Sequence, residues 1–298
     1  MQFRSRACSA QFLSAAAVVF AAAIFTVGMA TTLLAPPAFA QRYTDPDTLA
    51  PAYPTPQAVV ERMLALADVK PNEIVYDLGC GDGRIVIAAA KQFGARGVGV
   101  DIDPLRITES RENAAKARVG DRVRFHCQSF FDVDLGDATI VMLYLLPSIN
   151  IRLRPKLLAE LKPGTRILSN HFEIGDWKPD MSAQVHHRDL RQWIVPASVN
   201  GTWRCVVNEP ECRHHMVLNL TQRYQIVTGS ARIGRSDLPI INGRIFGDHL
   251  TFKLIRWSGN GAPKWYECQV EGKQLRGSCR VDSIEGQEIP WGGTREER

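Results

Sequence analysis

The chain has 298 residues, 45% hydrophobic and 22% charged, which is ordinary globular usage and long enough for two domains. Its formal charge of +5 reduces to 34 bases against 31 acids once Arg4 and Arg6 of the N-terminal segment are set aside. So weak a balance, with no Lys/Arg stripe interleaved with aromatics, excludes nucleic acid as the partner implied by charge.

Arg4 and Arg6 precede an uncharged stretch from Ala7 to Gln41 that contains "AAAVVFAAAIFTVGMA", the helix-breaking Pro36-Pro37 and then "AFA" at 38-40. A basic start, an apolar centre and a small-x-small ending predict a secretory signal peptide over 1-40, cleaved after Ala40, which places the protein in the periplasm or outside the cell. The other reading is an uncleaved anchor, because the apolar run approaches the roughly 20 residues of a membrane helix. Its basic flank would still leave the body of the protein outside the cytoplasm.

Residues 41-52 are polar and proline-spaced, as in a linker. Order is expected from Tyr53, with Thr55 capping and Pro56 opening a helix whose apolar face is Val59, Val60, Met63, Leu64 and Ala67. Strands and helices then alternate. "EIVYDLG" reads as a buried strand, Arg84 to Phe93 as a helix, "RGVGVDI" as a strand, Leu105 to Ala117 as a helix and "RVRFHC" as a third strand. "ATIVMLYLL" is apolar on both faces, as a central parallel strand must be. A helix over Ile151-Leu161 and the strand "RILSNHF" follow. Right-handed crossovers make this a doubly wound, Rossmann-like α/β domain over 53-197, with its ligand at the carboxyl ends of the strands.

Beyond Pro196 the period changes to two. Leu250, Phe252 and Leu254 alternate with Thr251 and Lys253, and "HMVLNL", "YQIVTG", "WYECQV" and "LRGSCRV" behave alike between glycine turns. Residues 198-291 are therefore expected to form a small antiparallel all-β barrel or sandwich, followed by a disordered tail over 292-298. Opening on "GTW", this segment resembles a lipocalin-type barrel, and no ligand is read from that. Cys205, Cys212, Cys268 and Cys279 all fall here. In an exported segment they suggest disulfides; four cysteines allow three connectivities, among them Cys268-Cys279, diagonal on a shared face of a hairpin turning at Gly272-Lys273, with Cys205-Cys212 as the second pair. The absence of C-x-x-C spacing argues against zinc, and buried free thiols are the alternative. No metal is assigned to His186-His187, which read as a solvated strand or turn.

The chemistry concentrates in "VYDLGCGDG" at 75-83 and "VGVDIDP" at 98-104. Gly79, Gly81 and Gly83 let backbone approach a bound molecule where a Cβ would collide. Asp101, 18 residues after Gly83 at the end of the next strand, suits the two hydroxyls of a ribose. The glycine spacing is not that of a nicotinamide site, and Asp77 and Asp82 beside the turn would repel a pyrophosphate. A ligand with a cationic or zwitterionic arm fits better.

"DLGCGDG" with "GVDIDP" resembles the first two motifs of class I S-adenosylmethionine-dependent methyltransferases. With "PTPQAVVERML", "LYLLP" and "SNHFEIGDWKPD", the region from Tyr53 to Ala197 is similar to a bacterial group related to the mitochondrial lysine methyltransferases of ATP synthase c subunit and the adenine nucleotide translocase. The resemblance implies S-adenosyl-L-methionine as cofactor. The three glycines would pass under its methionine arm, Asp77 orient the turn or the ligand amine, Asp101 hold the ribose and Ile102 flank the adenine. Tyr53, just before "PTPQAVVERML", and Thr55 within it join the expected cofactor contacts. The family's next acid falls at Ser129, which leaves Asp132 or Gln128 to face the adenine amine. Tyr144, Asn170 and His171 end their strands at the acceptor rim and are the expected catalytic residues, with His171 able to take a proton from the acceptor. Trp177 is expected to pack the edge of the site. The implied activity is N-methylation of an amine such as a protein lysine. The alternative is an exported, non-catalytic binding protein whose β domain meets a lipid or envelope partner.

Overall fold

A computed structural model describes residues 53-209, 213-255, 263-281 and 288-297. The first half runs α1 (Gln57–Leu66), β1 (Ile74–Leu78), α2 (Arg84–Phe93), β2 (Arg96–Asp101), α3 (Pro104–Ala117), β3 (Val123–Cys127), β4 (Ile140–Leu143), α4 (Pro147–Glu160), β5 (Arg166–Asn170), β6 (Met181–Val185) and β7 (Arg188–Ile194). The strands form one sheet in the order β3-β2-β1-β4-β5-β7-β6. The first five are parallel, and β7 enters antiparallel to both β5 and β6. Strand order reverses between β1 and β4, so the crevice at their carboxyl ends is the ligand position of a doubly wound sheet.

The pattern that made this region legible is the pattern that packs it. "IVML" of β4 is wholly buried, and its side chains alternate between two cores. Ile140 and Met142 join Val75 and Leu168 beneath α1, α2 and α3, whereas Val141 and Leu143 join Tyr76, Leu78 and Ile167 beneath α4. Burying such strands on both faces contributes about 1.5–3 kcal/mol for each large aliphatic side chain.

Two local expectations are corrected. Pro56, not Thr55, is the N-cap of α1: the Val59 and Val60 amides donate to the Pro56 carbonyl, and no side chain caps the helix. Helix α4 starts four residues earlier than its apolar pattern suggests, because Pro147 supplies the first turn. The β6–β7 hairpin turns on His186 and His187, exposed as expected, with φ of +46° and +62°.

The second half is an up-and-down meander of β8 (Gly201–Asn208), β9 (Arg213–Arg223), β10 (Ile226–Ile233), β11 (Ser236–Pro239), β12 (Ile241–Phe246), β13 (His249–Leu254), β14 (Lys264–Glu271), β15 (Gln274–Val281) and β16 (Ile289–Arg295). β16 pairs with β8 and β9 with β10, so eight strands close into an antiparallel barrel, with short β11 also pairing with β10. Closure removes the exposed edges a meander would otherwise leave. Alternate residues fill the interior, where Phe252 stacks on Tyr266 at 5.0 Å and both meet Trp291 edge-on. Trp203, in the "GTW" that opens the barrel, is fully buried beneath the Arg295 guanidinium at 4.6 Å.

The barrel also corrects the expected tail: residues 292-295 are strand β16, paired with β8 and β15. Cys268 and Cys279 lie two residues apart along the β14–β15 ladder, since Cys268 opposes Gly277 and Cys279 opposes Tyr266. Both are free buried thiols, as is Cys205, whose thiol burial pushes up to about 12. Cys212 and the whole N-terminal segment lie outside the described residues. Among those residues, no helix is long and apolar enough to cross a membrane.

Candidate active site

The turn after β1 carries three consecutive demands on backbone conformation. Gly79, Gly81 and Gly83 have φ of +84°, +52° and +78°, where a side chain is strained. Their surroundings separate them. A Cβ on Gly83 would stand 2.8 Å from the Phe125 ring, and one on Gly79 would stand 3.2 Å from Leu145. A Cβ on Gly81 would meet nothing within 4 Å, so the space beside it is open. Gly81 is therefore the glycine whose missing side chain leaves room for a ligand, while Gly83 is needed for packing.

Asp101 holds that turn from the neighbouring strand. One carboxylate oxygen accepts from the Gly81 amide at 2.9 Å and the other from the Asp103 amide at 2.9 Å. Each oxygen keeps a second lone pair, and the residue is half-buried, so ribose hydroxyls can still be accepted from the open side. Ile102, next in the chain, is 38% exposed, as an apolar wall facing an adenine would be before the ligand arrives.

Asp77 is the electrostatic centre. Its side chain is almost fully buried on β1, and burial, followed by the charges of Asp101 and Asp82, pushes its pKa up to about 8. Asp82 has its charge answered locally by Arg84, whose Nε stands 2.9 Å from Oδ1 and whose Nη2 stands 2.5 Å from Oδ2. Arg84 also donates to the Thr55 carbonyl at 2.9 Å, which ties the Tyr53–Thr55 segment to the start of α2. Thr55 is buried and Tyr53 is exposed. A buried carboxyl of raised pKa beside an open glycine turn is neutral by itself, and a cationic group placed against it would favour its ionised form. The ammonium and ribose of S-adenosylmethionine fit Asp77, Gly81 and Asp101.

On the adenine side, the Ser129 hydroxyl oxygen accepts from the Phe131 amide at 3.2 Å within a tight turn, which leaves it one lone pair and its hydrogen for a ligand. Asp132 is exposed beyond it. Gln128 stays nearer, its backbone N–H donating to the Asp101 backbone carbonyl at 3.1 Å.

The acceptor rim follows from strand parity. Asp77 is level with Met142, and Leu143 with Ser169. Tyr144 and Asn170 therefore share the sheet face of Asp77, side by side at the carboxyl rim. Asn170 is fully buried, and neither its amide oxygen nor its amide nitrogen has a hydrogen-bond partner. Tyr144 stacks on Phe172 at 6.1 Å, and its hydroxyl oxygen accepts from Arg188 Nη1 at 2.6 Å. His171 is less central than expected. It leaves β5 with φ of +74°, its backbone is held by Asp189 and Arg191, and its exposed ring lies edge-on to Phe172.

Arg188 and Phe172 were not legible as site residues in sequence. Arg188 reaches Tyr144 only because the β6–β7 hairpin folds back over the rim, and a His-His turn carries no glycine or asparagine to announce it. Trp177 is corrected: it is fully buried, stacked on Tyr224 of the barrel at 5.7 Å rather than packed at the edge of the site.

Glycine turn, buried carboxylate, ribose acid and sheet order together define an S-adenosylmethionine-dependent methyltransferase. Comparison with known proteins narrows the class: the model of the ANTKMT methyltransferase domain matches residues 77-181. A protein-lysine N-methyltransferase of Saccharolobus islandicus is 51% identical over 145 residues, which are 48% of this chain and 90% of that protein. The adenine nucleotide translocase lysine N-methyltransferase of Mus musculus is 36% identical over 143 residues, 48% of this chain and 61% of that protein. A crystal structure described as an RNA methyltransferase from Salinibacter ruber, in complex with S-adenosyl-L-homocysteine, is 48% identical, with 49% of this chain and 96% of that chain covered and a TM-score of 0.49. The chain belongs to the ANTKMT methyltransferase family, with S-adenosylmethionine as its methyl donor.

Proposed function

We propose that this enzyme methylates the side-chain nitrogen of a protein lysine. The observation that carries the reading is Asn170, a buried amide with both polar atoms unpaired, beside Tyr144 and on the same face as Asp77. A buried amide without partners costs about 1–3 kcal/mol for each unsatisfied group, a cost that an incoming amine would offset. S-adenosylmethionine supplies an electrophilic methyl group: the lone pair of a neutral amine attacks the methyl carbon in line, the S–CH3 bond breaks as the N–C bond forms, and S-adenosylhomocysteine leaves. The chain's part is to hold that nucleophile: the Asn170 carbonyl oxygen accepts an N–H of the amine, and the aromatic rings of Tyr144 and Phe172 border its alkyl stem. Lysine enters from the relatives, two of which are named as lysine methyltransferases.

The test is to incubate the full chain with isotopically labelled S-adenosylmethionine and separated membrane, soluble-protein and RNA fractions, then to locate the label by mass spectrometry. Label on a lysine Nε supports the proposal. Label confined to RNA or to another side chain overturns it.

We propose further that the N-terminal segment exports the enzyme or anchors it at the membrane with its body outside the cytoplasm. The basic, apolar and small-residue order of 1-40 supports this reading. N-terminal sequencing of the native protein is expected to begin at Gln41 if the segment is cleaved, and a full-length cytosolic chain would overturn both forms of the proposal.

A further inference from the structure

The loop that follows Asn170 and His171 ends in "GDWKPD", and this second half faces the barrel, not the rim. The described halves meet within one compact unit, and their meeting place is specific. Tyr224, at the corner between β9 and β10, stacks on Trp177 with planes 17° apart and donates its hydroxyl hydrogen to Asp176 at 2.9 Å. Its backbone is left-handed, with φ of +54°, a conformation that side chains rarely adopt and that needs a compensating contact. Gln225 is buried, and its amide donates to the Lys178 carbonyl at 2.7 Å. Arg244 of β12 adds an ion pair to Asp180 at 3.0 Å. From the catalytic half, Arg154 of α4 pairs with Asp176 and lies 5.4 Å over the Tyr224 ring, while Asn150 of the same helix donates to the Glu173 carbonyl at 3.2 Å. The loop over 171-180 is thus held at its far end by the barrel and at its middle by α4, and its near end carries the acceptor rim.

We infer that the β9–β10 corner of the barrel positions the acceptor loop, with Tyr224 and Gln225 as positioning residues that act through Trp177 and the backbone at 176-178. This rests on the acceptor reading given above. The Saccharolobus relative, 90% of which is matched by 145 residues, leaves no length for a barrel, so the inference gives the barrel a positioning part and no chemical one. Its contribution is to narrow the conformations of a loop whose other end must present Asn170, His171 and Phe172 to a macromolecular acceptor. Surface ion pairs such as Arg223–Asp176, with Arg223 largely exposed, add little, so the ring stack and the buried amide carry the coupling.

The experiment uses the full chain carrying Tyr224→Ala with Gln225→Ala, and separately Tyr224→Phe, which keeps the stack. Hydrogen exchange of the peptide over 171-178, S-adenosylhomocysteine affinity and methyl transfer to poly-L-lysine are measured together. The double variant is expected to exchange about tenfold faster in that peptide, because local opening is what the corner restrains. Cofactor affinity should stay within about twofold, while KM for poly-L-lysine rises about tenfold with kcat little changed, since loosened positioning weakens acceptor binding rather than the cofactor site. Tyr224→Phe should restore most of the slow exchange. Unchanged exchange in the double variant overturns the inference, as does cofactor affinity that falls in step with it. Faster exchange with unaltered KM also overturns it if Tyr144→Phe slows transfer. If Tyr144→Phe has no effect either, the acceptor reading itself has failed and this inference falls with it.

Discussion

The carboxylate of Asp101 accepts the Gly81 amide at 2.9 Å, so the acid at the end of β2 fixes the shape of the glycine turn after β1 as well as offering lone pairs to a ligand. The Asp103 amide on its other oxygen extends the same carboxylate to the start of α3. Reading Asp101 as a ribose acceptor alone predicts that its loss spares the fold.

The structure predicts more. Asp101→Ala removes two backbone hydrogen bonds to a charged group, and such bonds are worth about 1.5–3 kcal/mol each, toward the lower end for a half-buried site. S-adenosylmethionine affinity should fall roughly tenfold to several hundredfold, and the melting temperature should fall with it, by several degrees. Calorimetric titration beside a thermal melt checks both. A variant that binds normally would refute the assignment of this acid.

Gly81 and Gly83 should separate binding from stability. Both replacements by alanine incur left-handed strain of about 1–2 kcal/mol. Gly83→Ala adds a Cβ 2.8 Å from Phe125 and 3.0 Å from Ser110, and overpacking of this kind costs a further 1–3 kcal/mol or so. Gly83→Ala is therefore expected to lower the melting temperature more than Gly81→Ala does, and Gly81→Ala to lower cofactor affinity more for each degree lost. Equal behaviour of the two variants would mean that the open space beside Gly81 is not where the ligand lies.

These residues also show what sequence could and could not reveal. The β1–α2–β2 unit was legible because backbone constraint and chemistry coincide there: glycines at positive φ, an acid at each strand end, apolar runs between. The barrel strands were legible because their interior side chains alternate strictly with outward ones. Legibility ended where tertiary contacts decide the outcome. Asp82 reads from sequence as part of the ligand field, whereas Arg84 pairs with it locally, and Trp177 reads as a site aromatic, whereas the barrel covers it. Cys268 and Cys279 lie on a shared face two residues apart along the ladder, yet they are free thiols within the filled barrel interior.

Tyr144 and Arg188 should act as one unit. Arg188 donates to the tyrosine hydroxyl at 2.6 Å and lies 5.5 Å from its ring, so either Tyr144→Phe or Arg188→Ala breaks the same contact. Each is expected to slow transfer about ten- to a hundredfold with cofactor affinity unchanged, and the double variant to be little slower than the worse single one. Additive losses in this cycle would show that Arg188 acts on the acceptor directly and not through Tyr144.

If the ligand's ammonium lies against Asp77, cofactor binding should be linked to a proton. The native chain keeps Asp77 protonated up to about pH 8, whereas an ordinary aspartate such as that of the unfolded chain ionises near 3.8. Between those values the folded state carries the additional proton, so stability from this group is full below about pH 4, declines as pH rises and is lost above about 8. An ammonium placed against Asp77 favours the carboxylate instead, so S-adenosylmethionine binding at pH 7 should release close to one proton to solvent. Affinity should accordingly rise by up to about tenfold per unit between pH 6 and 7, and level off near 8, where the ligand's own amine begins to lose its charge. Titration calorimetry at pH 7 in phosphate and in Tris reads the released proton as a difference in apparent enthalpy between the two buffers. Asp77→Asn, which cannot ionise, should bind weakly with no such difference and should lose the decline of stability from pH 4 to 8. Identical enthalpies for the wild-type chain in the two buffers would place the ligand's ammonium elsewhere and leave Asp77 as a neutral, structural acid beneath the glycine turn.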